Sequence, residues 1–205
     1  MKVLSWILIV LVGGLCFFYW RTALALEKPS YELVSKNGRL EIRNYSPVTI
    51  ASTKLNGGYD NSLNGGFRTI AGYIFGNNQE QQKIAMTAPV LVENPQSSDY
   101  KMAFVMPEVS VEQGLPAPSS SSVALETVAW GAVAVWRFGG WANEDRIERE
   151  WEKMKSALDE QDIETLNYDM VAQYNPPMLP PPFRKNELWV ILDVSSSDLG
   201  TEERD

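Results

Sequence analysis

Lys83-Ile84-Ala85-Met86-Thr87-Ala88-Pro89-Val90 reads as a strand that ends in a proline. Proline has no amide proton to give to a sheet ladder, so such a strand belongs at an edge or a bulge. The stretch is poor in chemistry: one lysine, one hydroxyl and one thioether. It points to structure or binding rather than to catalysis.

The flanking segments place it in a repeated pattern. Upstream, Asp60–Phe75 carries Leu63, Phe67, Ile70, Ala71 and Ile74 at helical spacing. Gly65-Gly66 costs this helix about 1 kcal/mol per glycine and predicts a frayed first turn. Gly76-Asn77-Asn78 ends it. Before the helix, Leu40–Leu55 is strand-like and broken at Ser46-Pro47. Ile84–Glu93 and Tyr100–Met106 read as two strands, and Gln113–Ser122 as a Pro/Ser linker.

The second half has the same order. Ala129–Phe138 reads as a strand, and Asn143 caps a helix with Ile147, Trp151, Met154 and Leu158 on one stripe. The charges of Glu144–Lys155 read as a solvated face without a salt-bridge ladder. Tyr168–Tyr174 and Glu187–Val194 read as closing strands. Gly57-Gly58-Tyr59-x-Asn61 matches Gly139-Gly140-Trp141-x-Asn143, and Met86-x-Ala88 matches Met170-x-Ala172. The expectation is an α+β fold of two βαββ repeats, about residues 40–106 and 129–194, forming an antiparallel sheet or barrel flanked by two helices.

Both ends read differently. Val3–Trp20 is an apolar run bounded by Lys2 and Arg21, about 27 Å long as a helix. Residues 1–25 therefore read as a signal peptide or a transmembrane anchor. Ala23-Leu24-Ala25 suits cleavage, and Tyr19-Trp20 suits a membrane interface. Residues 3–20 would attach the protein to a membrane, giving an anchored or exported domain, periplasmic in a bacterium. Residues 195–205 read as a disordered acidic tail.

Composition excludes several classes. Without residues 1–25 the net charge falls from -8 to -10, because Lys2 and Arg21 are the only charges lost. Such acidity opposes nucleic-acid binding. The single cysteine, Cys16, lies in the apolar run, and the chain has no histidine. Histidine-based triads are thereby removed, along with the commonest transition-metal ligand. No spaced acid–base pair identifies itself, so the chain reads as a non-enzyme.

A proline loop completes the motif set: Tyr174-Asn175-Pro176-Pro177-Met178-Leu179-Pro180-Pro181-Pro182-Phe183-Arg184-Lys185-Asn186-Glu187-Leu188-Trp189. Together with Lys83–Val90, Phe138-Gly139-Gly140-Trp141-Ala142 and Tyr31-Glu32-Leu33-Val34, it resembles the SOUL heme-binding protein family. The resemblance covers about residues 30–194 within a domain of 26–194. It implies a distorted β-barrel of two βαββ repeats and two helices, and binding of heme or another tetrapyrrole. Without histidine, binding falls to apolar contacts, or to a Met or Tyr ligand. The family's association of the first helix and the proline loop with binding points here to Phe67, Arg68, Ala71, Tyr174 and Met178. Arg68 is the expected propionate partner, and Leu179 stands where some relatives have a basic residue. The same residues also fit plainer roles: Phe67 and Ala71 in the helix core stripe, Arg68 as a surface charge, and Tyr174 as a hydrogen-bond donor to the loop. Two other readings stand beside heme binding, a module for another small amphipathic ligand and a membrane-tethered interaction domain.

Overall fold

The computed structural model describes residues 26–95 and 100–193. Among these residues nine strands form one antiparallel sheet: β1 (Tyr31–Asn37), β2 (Leu40–Tyr45), β3 (Val48–Lys54), β4 (Val90–Glu93), β5 (Lys101–Val105), β6 (Ala124–Val128), β7 (Gly131–Gly139), β8 (Thr165–Gln173) and β9 (Lys185–Leu192). Their spatial order is β1-β2-β7-β9-β8-β4-β5-β3-β6. The sheet curls but does not close, leaving β1 and β6 as edges. The expected barrel is thus an open half-barrel. β1 is exposed along its whole length, and its charges Glu32 and Lys36 suit an unpaired edge.

Among the described residues three helices accompany the sheet: α1 (Tyr59–Ile74), a short α2 (Glu108–Gln113) and α3 (Glu144–Asp159). Alternation along each strand sorts side chains to two faces. On one face, Ile42, Ala51, Met102, Phe104, Ala134, Leu188 and Val190 pack with Ile70, Tyr73 and Ile74 of α1 and with Ile147, Trp151, Met154 and Leu158 of α3. The helix-free face holds a smaller cluster around Tyr45, Trp130, Val133, Met170 and Trp189.

The helices begin where their sequences allow. Gly58 opens α1 in extended conformation, while Asn143 caps α3 by accepting the Arg146 amide at 3.3 Å. The double glycine does not fray α1, which runs through it unbroken. Gly66 is instead a packing requirement, because a Cβ there would stand 2.3 Å from Leu55 Cδ2. α3 also departs from the expected solvated face. Glu150, fully buried, binds Arg146 at 3.1 Å, Lys153 at 2.9 Å and the Trp136 indole at 3.0 Å. The i,i+4 pair Arg146–Glu150 and the i,i+3 pair Lys153–Glu150 converge on one carboxylate because the helix turns it toward β7.

The opening octapeptide is not a strand. Pairing begins only at Val90, after a cis Ala88–Pro89 bond. Thr87 donates to the Val105 carbonyl at 2.6 Å and forms a bridge to Glu27, whose carbonyl accepts from the Ala88 amide at 2.8 Å. The segment therefore clips the start of the domain to β5. Met86 lies outside the strands whereas Met170 lies in β8, so that sequence match does not join equivalent positions.

The expected membrane attachment is corrected. Among the described residues no helix is long and apolar enough to cross a membrane. Residues 1–25, on which the transmembrane and anchored readings rested, lie outside the described residues, as does the acidic tail 195–205. The membrane reading is not retained.

Candidate functional site

Two cavities flank the proline loop that joins β8 to β9. The first, about 280 Å³, lies between the N-terminal half of α1 and the loop. Leu63 and Phe67 of α1, Val90, Met102, Trp141 and Pro177 give it apolar walls. Phe67 packs against Phe104 with ring centroids 5.4 Å apart, which holds the Phe67 ring at the groove. This cavity sits just below the ~300–1,000 Å³ usual for small-molecule sites.

Arg184 forms the partition between this groove and its neighbour. It is only 7% exposed, yet among the described residues it meets no carboxylate. Its guanidinium stacks on Trp141, 3.7 Å from the ring centroid, and donates to the carbonyls of Leu179 at 2.8 Å and of Pro177. Burial pushes its pKa down, but a guanidinium keeps its charge across the physiological range. A buried cation without an acidic partner is costly unless something else uses it.

The second cavity, about 410 Å³, opens on the helix-free side. At its floor Arg43, 2% exposed, bonds both oxygens of Glu187 at 3.0 and 2.9 Å. It also bonds Glu41 at 2.9 and 2.5 Å and the Tyr45 hydroxyl at 3.0 Å. Tyr174 and the Trp189 indole donate to Glu187 at 2.7 and 2.8 Å. Burial would raise the Glu41 carboxyl, but its bonds with Arg43, Lys36 and Arg137 override this and hold it at about 2. Burial, then the Glu187 charge, pushes the Tyr174 hydroxyl well up, so it stays a proton donor.

The residues expected from sequence separate in space. Phe67 lines the apolar groove. Arg68 is exposed, bonds the Asn64 carbonyl at 3.2 Å and borders a different polar recess beside Thr69 and Tyr73. Ala71 is buried under α1. Tyr174 faces the basic cavity, and Met178, 83% exposed, projects from the loop tip. The sequence reading missed Arg184 and Trp141 as a pair. The available signal was an arginine inside a proline-rich segment that offers backbone carbonyls but few side-chain acceptors.

A sequence model described as SOUL heme-binding protein matches residues 26–191. The chain belongs to the SOUL heme-binding protein family. Similar proteins include human heme-binding protein 2, 30% identical over 182 residues covering 82% of this chain and 87% of the human protein. Mouse heme-binding protein 2 is 29% identical over 82% of this chain and 86% of its own. Heme-binding protein 1 of Xenopus laevis is 27% identical over 81% of this chain and 92% of its own. Among solved structures, the EcmrR C-terminal domain superposes with a TM-score of 0.55 at 7% identity, covering 80% of this chain and 98% of that domain. An uncharacterized conserved protein from Listeria innocua gives 0.53 at 10% identity, covering 78% of this chain and 94% of that protein. At these identities the structural likenesses show the fold alone. The SOUL family's fold and this chain's lack of histidine set the terms for a ligand.

Proposed function

We propose that this protein is a non-catalytic tetrapyrrole binder that holds heme, or a close relative, in the groove between α1 and the proline loop. The observation that carries the reading is the pairing of an apolar groove with Arg184, a buried cation left without an acidic partner among the described residues. The groove suits a flat apolar macrocycle, and the guanidinium suits a propionate. Its size fits one edge of the ring, leaving the remainder across the exposed Met178 and Phe183 side of the loop. Arg184 thereby takes the role expected of Arg68. Phe67 supplies the aromatic wall, and no imidazole ligates the iron because the chain has none. Heme-binding relatives over four-fifths of the chain support the same ligand class.

We also infer that β3-α1-β4-β5 and β7-α3-β8-β9 are copies of one βαββ unit. The strand order mirrors itself about the β4–β8 contact, with β2 on β7 matching β6 on β3. The groove then joins the two copies, with α1 from the first and Trp141 and the proline loop from the second.

Titration of the purified protein with hemin tests the proposal. Saturable binding with a shifted Soret band is expected. Binding no tighter than to an unrelated protein of equal negative charge would refute it.

A further inference from the structure

The basic cavity on the helix-free side shares Arg184 with the tetrapyrrole groove and is otherwise lined by different residues. Its walls bring Lys28, Arg39, Arg43, Arg137, Arg184 and Lys185 together in a chain of net charge -8. Three of these are compensated: Arg43 by Glu41 and Glu187, Arg137 by Glu41 at 3.1 Å, and Arg39 by Glu150 at 3.5 Å. Among the described residues, Lys28, Arg184 and Lys185 meet no carboxylate within ion-pair distance. Like charges gathered in an acidic protein repel one another, and a cavity with low-dielectric walls focuses their field.

The remaining lining is partly apolar. Tyr31, Tyr45, Phe138 and Tyr174 contribute to it, with Lys28 Nζ 5.8 Å from the Tyr174 ring centroid and the Arg43 guanidinium 4.3 Å from that of Tyr31. The arrangement is built rather than incidental. Lys28 is brought to the rim because Glu27 is clipped to Thr87 and Ala88, and because the Glu27 carboxylate accepts the Glu108 amide at 2.7 Å. Lys185 is fixed by its amide, which donates to Asn175 at 2.6 Å. Arg43 and Glu187 neutralise each other at the floor, so an incoming anion meets the rim cations rather than a bare carboxylate.

We propose that this cavity is a second binding site, for a small organic oxyanion with a flat apolar body. At about 410 Å³ it accepts a molecule of one or two fused rings. Lys28 and Lys185 hold the anionic group at the rim, and Tyr31 and Tyr174 cover the rings. The two sites share Arg184, but Lys28 and Lys185 line only this cavity and Phe67 only the other, so substitutions at those positions separate them.

The test uses the full protein and two fluorescent probes of like shape, anionic 8-anilinonaphthalene-1-sulfonate and neutral N-phenyl-1-naphthylamine. The anionic probe is expected to bind at least tenfold more tightly, and Lys28→Glu with Lys185→Glu is expected to remove that preference. Both lysines are exposed, so the fold tolerates the reversals. The same reversals at Lys83 and Arg149, also exposed and outside the cavity, control for net charge and are expected to change affinity less than threefold. Phe67→Ala is expected to leave the anionic probe's affinity unchanged. Equal binding of both probes, equal loss in the control variant, or loss on Phe67→Ala would each overturn the proposal.

Discussion

Glu187 shows how much of this protein is decided by single side chains. It is buried, and its oxygens accept from Arg43, Tyr174 and Trp189. Hydrogen bonds to charged groups contribute about 1.5–3 kcal/mol each. Tyr174→Phe removes one of them while Arg43 and Trp189 continue to satisfy the carboxylate. It is expected to cost about 1–2 kcal/mol in urea unfolding. No change would mean that Tyr174 serves only the cavity surface. Glu41 gives the acid dependence. Its folded pKa of about 2 lies below the ordinary 4.5, so its stabilisation is present above pH 4.5 and is lost as pH falls toward 2. The stability gap between the wild-type protein and Glu41→Gln should therefore shrink between pH 4.5 and 2. A gap constant over that range in urea titrations would contradict the assignment.

At the scale of elements, α1 carries the clearest contrast. The neighbouring glycines 65 and 66 have opposite surroundings: open space at Gly65, and Leu55 with Met102 at Gly66. Gly65→Ala should stabilise the protein by about 0.5–1 kcal/mol through helix propensity alone. Gly66→Ala gains the same propensity but must displace the buried Leu55, a form of overpacking that costs about 1–3 kcal/mol. Thermal unfolding should rank the two variants with Gly65→Ala higher by at least about 1 kcal/mol; the reverse order would contradict the packing described.

The same contrast explains what was legible in sequence. The periodicity of α1 and α3 placed both helices within a residue or two, because their buried stripes repeat cleanly. β2, β3 and β5 were legible for the same reason. β1 and β6 were not, being edge strands with no apolar face to alternate. Lys83–Val90 was misread because Ile84, Thr87 and Val90 are β-branched residues that favour strands, yet the hydrogen bonds of Ile84, Thr87 and Ala88 go to Ile74, Val105 and Glu27 rather than to a ladder. At the candidate site Phe67 was visible as a helix-stripe aromatic. Arg184 was hidden because its partners are the backbone carbonyls of Pro177 and Leu179 and the ring of Trp141, contacts that leave no spacing signal.

For the molecule as a whole, the half-barrel separates two kinds of surface. Helices cover one face of the sheet and form, with the proline loop, an apolar groove; the bare face gathers the cations. Arg184 stands between them, fixed by a loop whose base is tied by Asn186 to the Gly140 carbonyl at 2.9 Å. The central claim is that the groove beside Phe67 binds a tetrapyrrole without histidine. Hemin titration of the wild-type protein, Phe67→Ala and Lys28→Glu in parallel tests it most directly. The account predicts saturable binding to the wild-type protein, at least tenfold weaker binding to Phe67→Ala, and little change for Lys28→Glu. Equal hemin affinity in the wild-type protein and Phe67→Ala would contradict it.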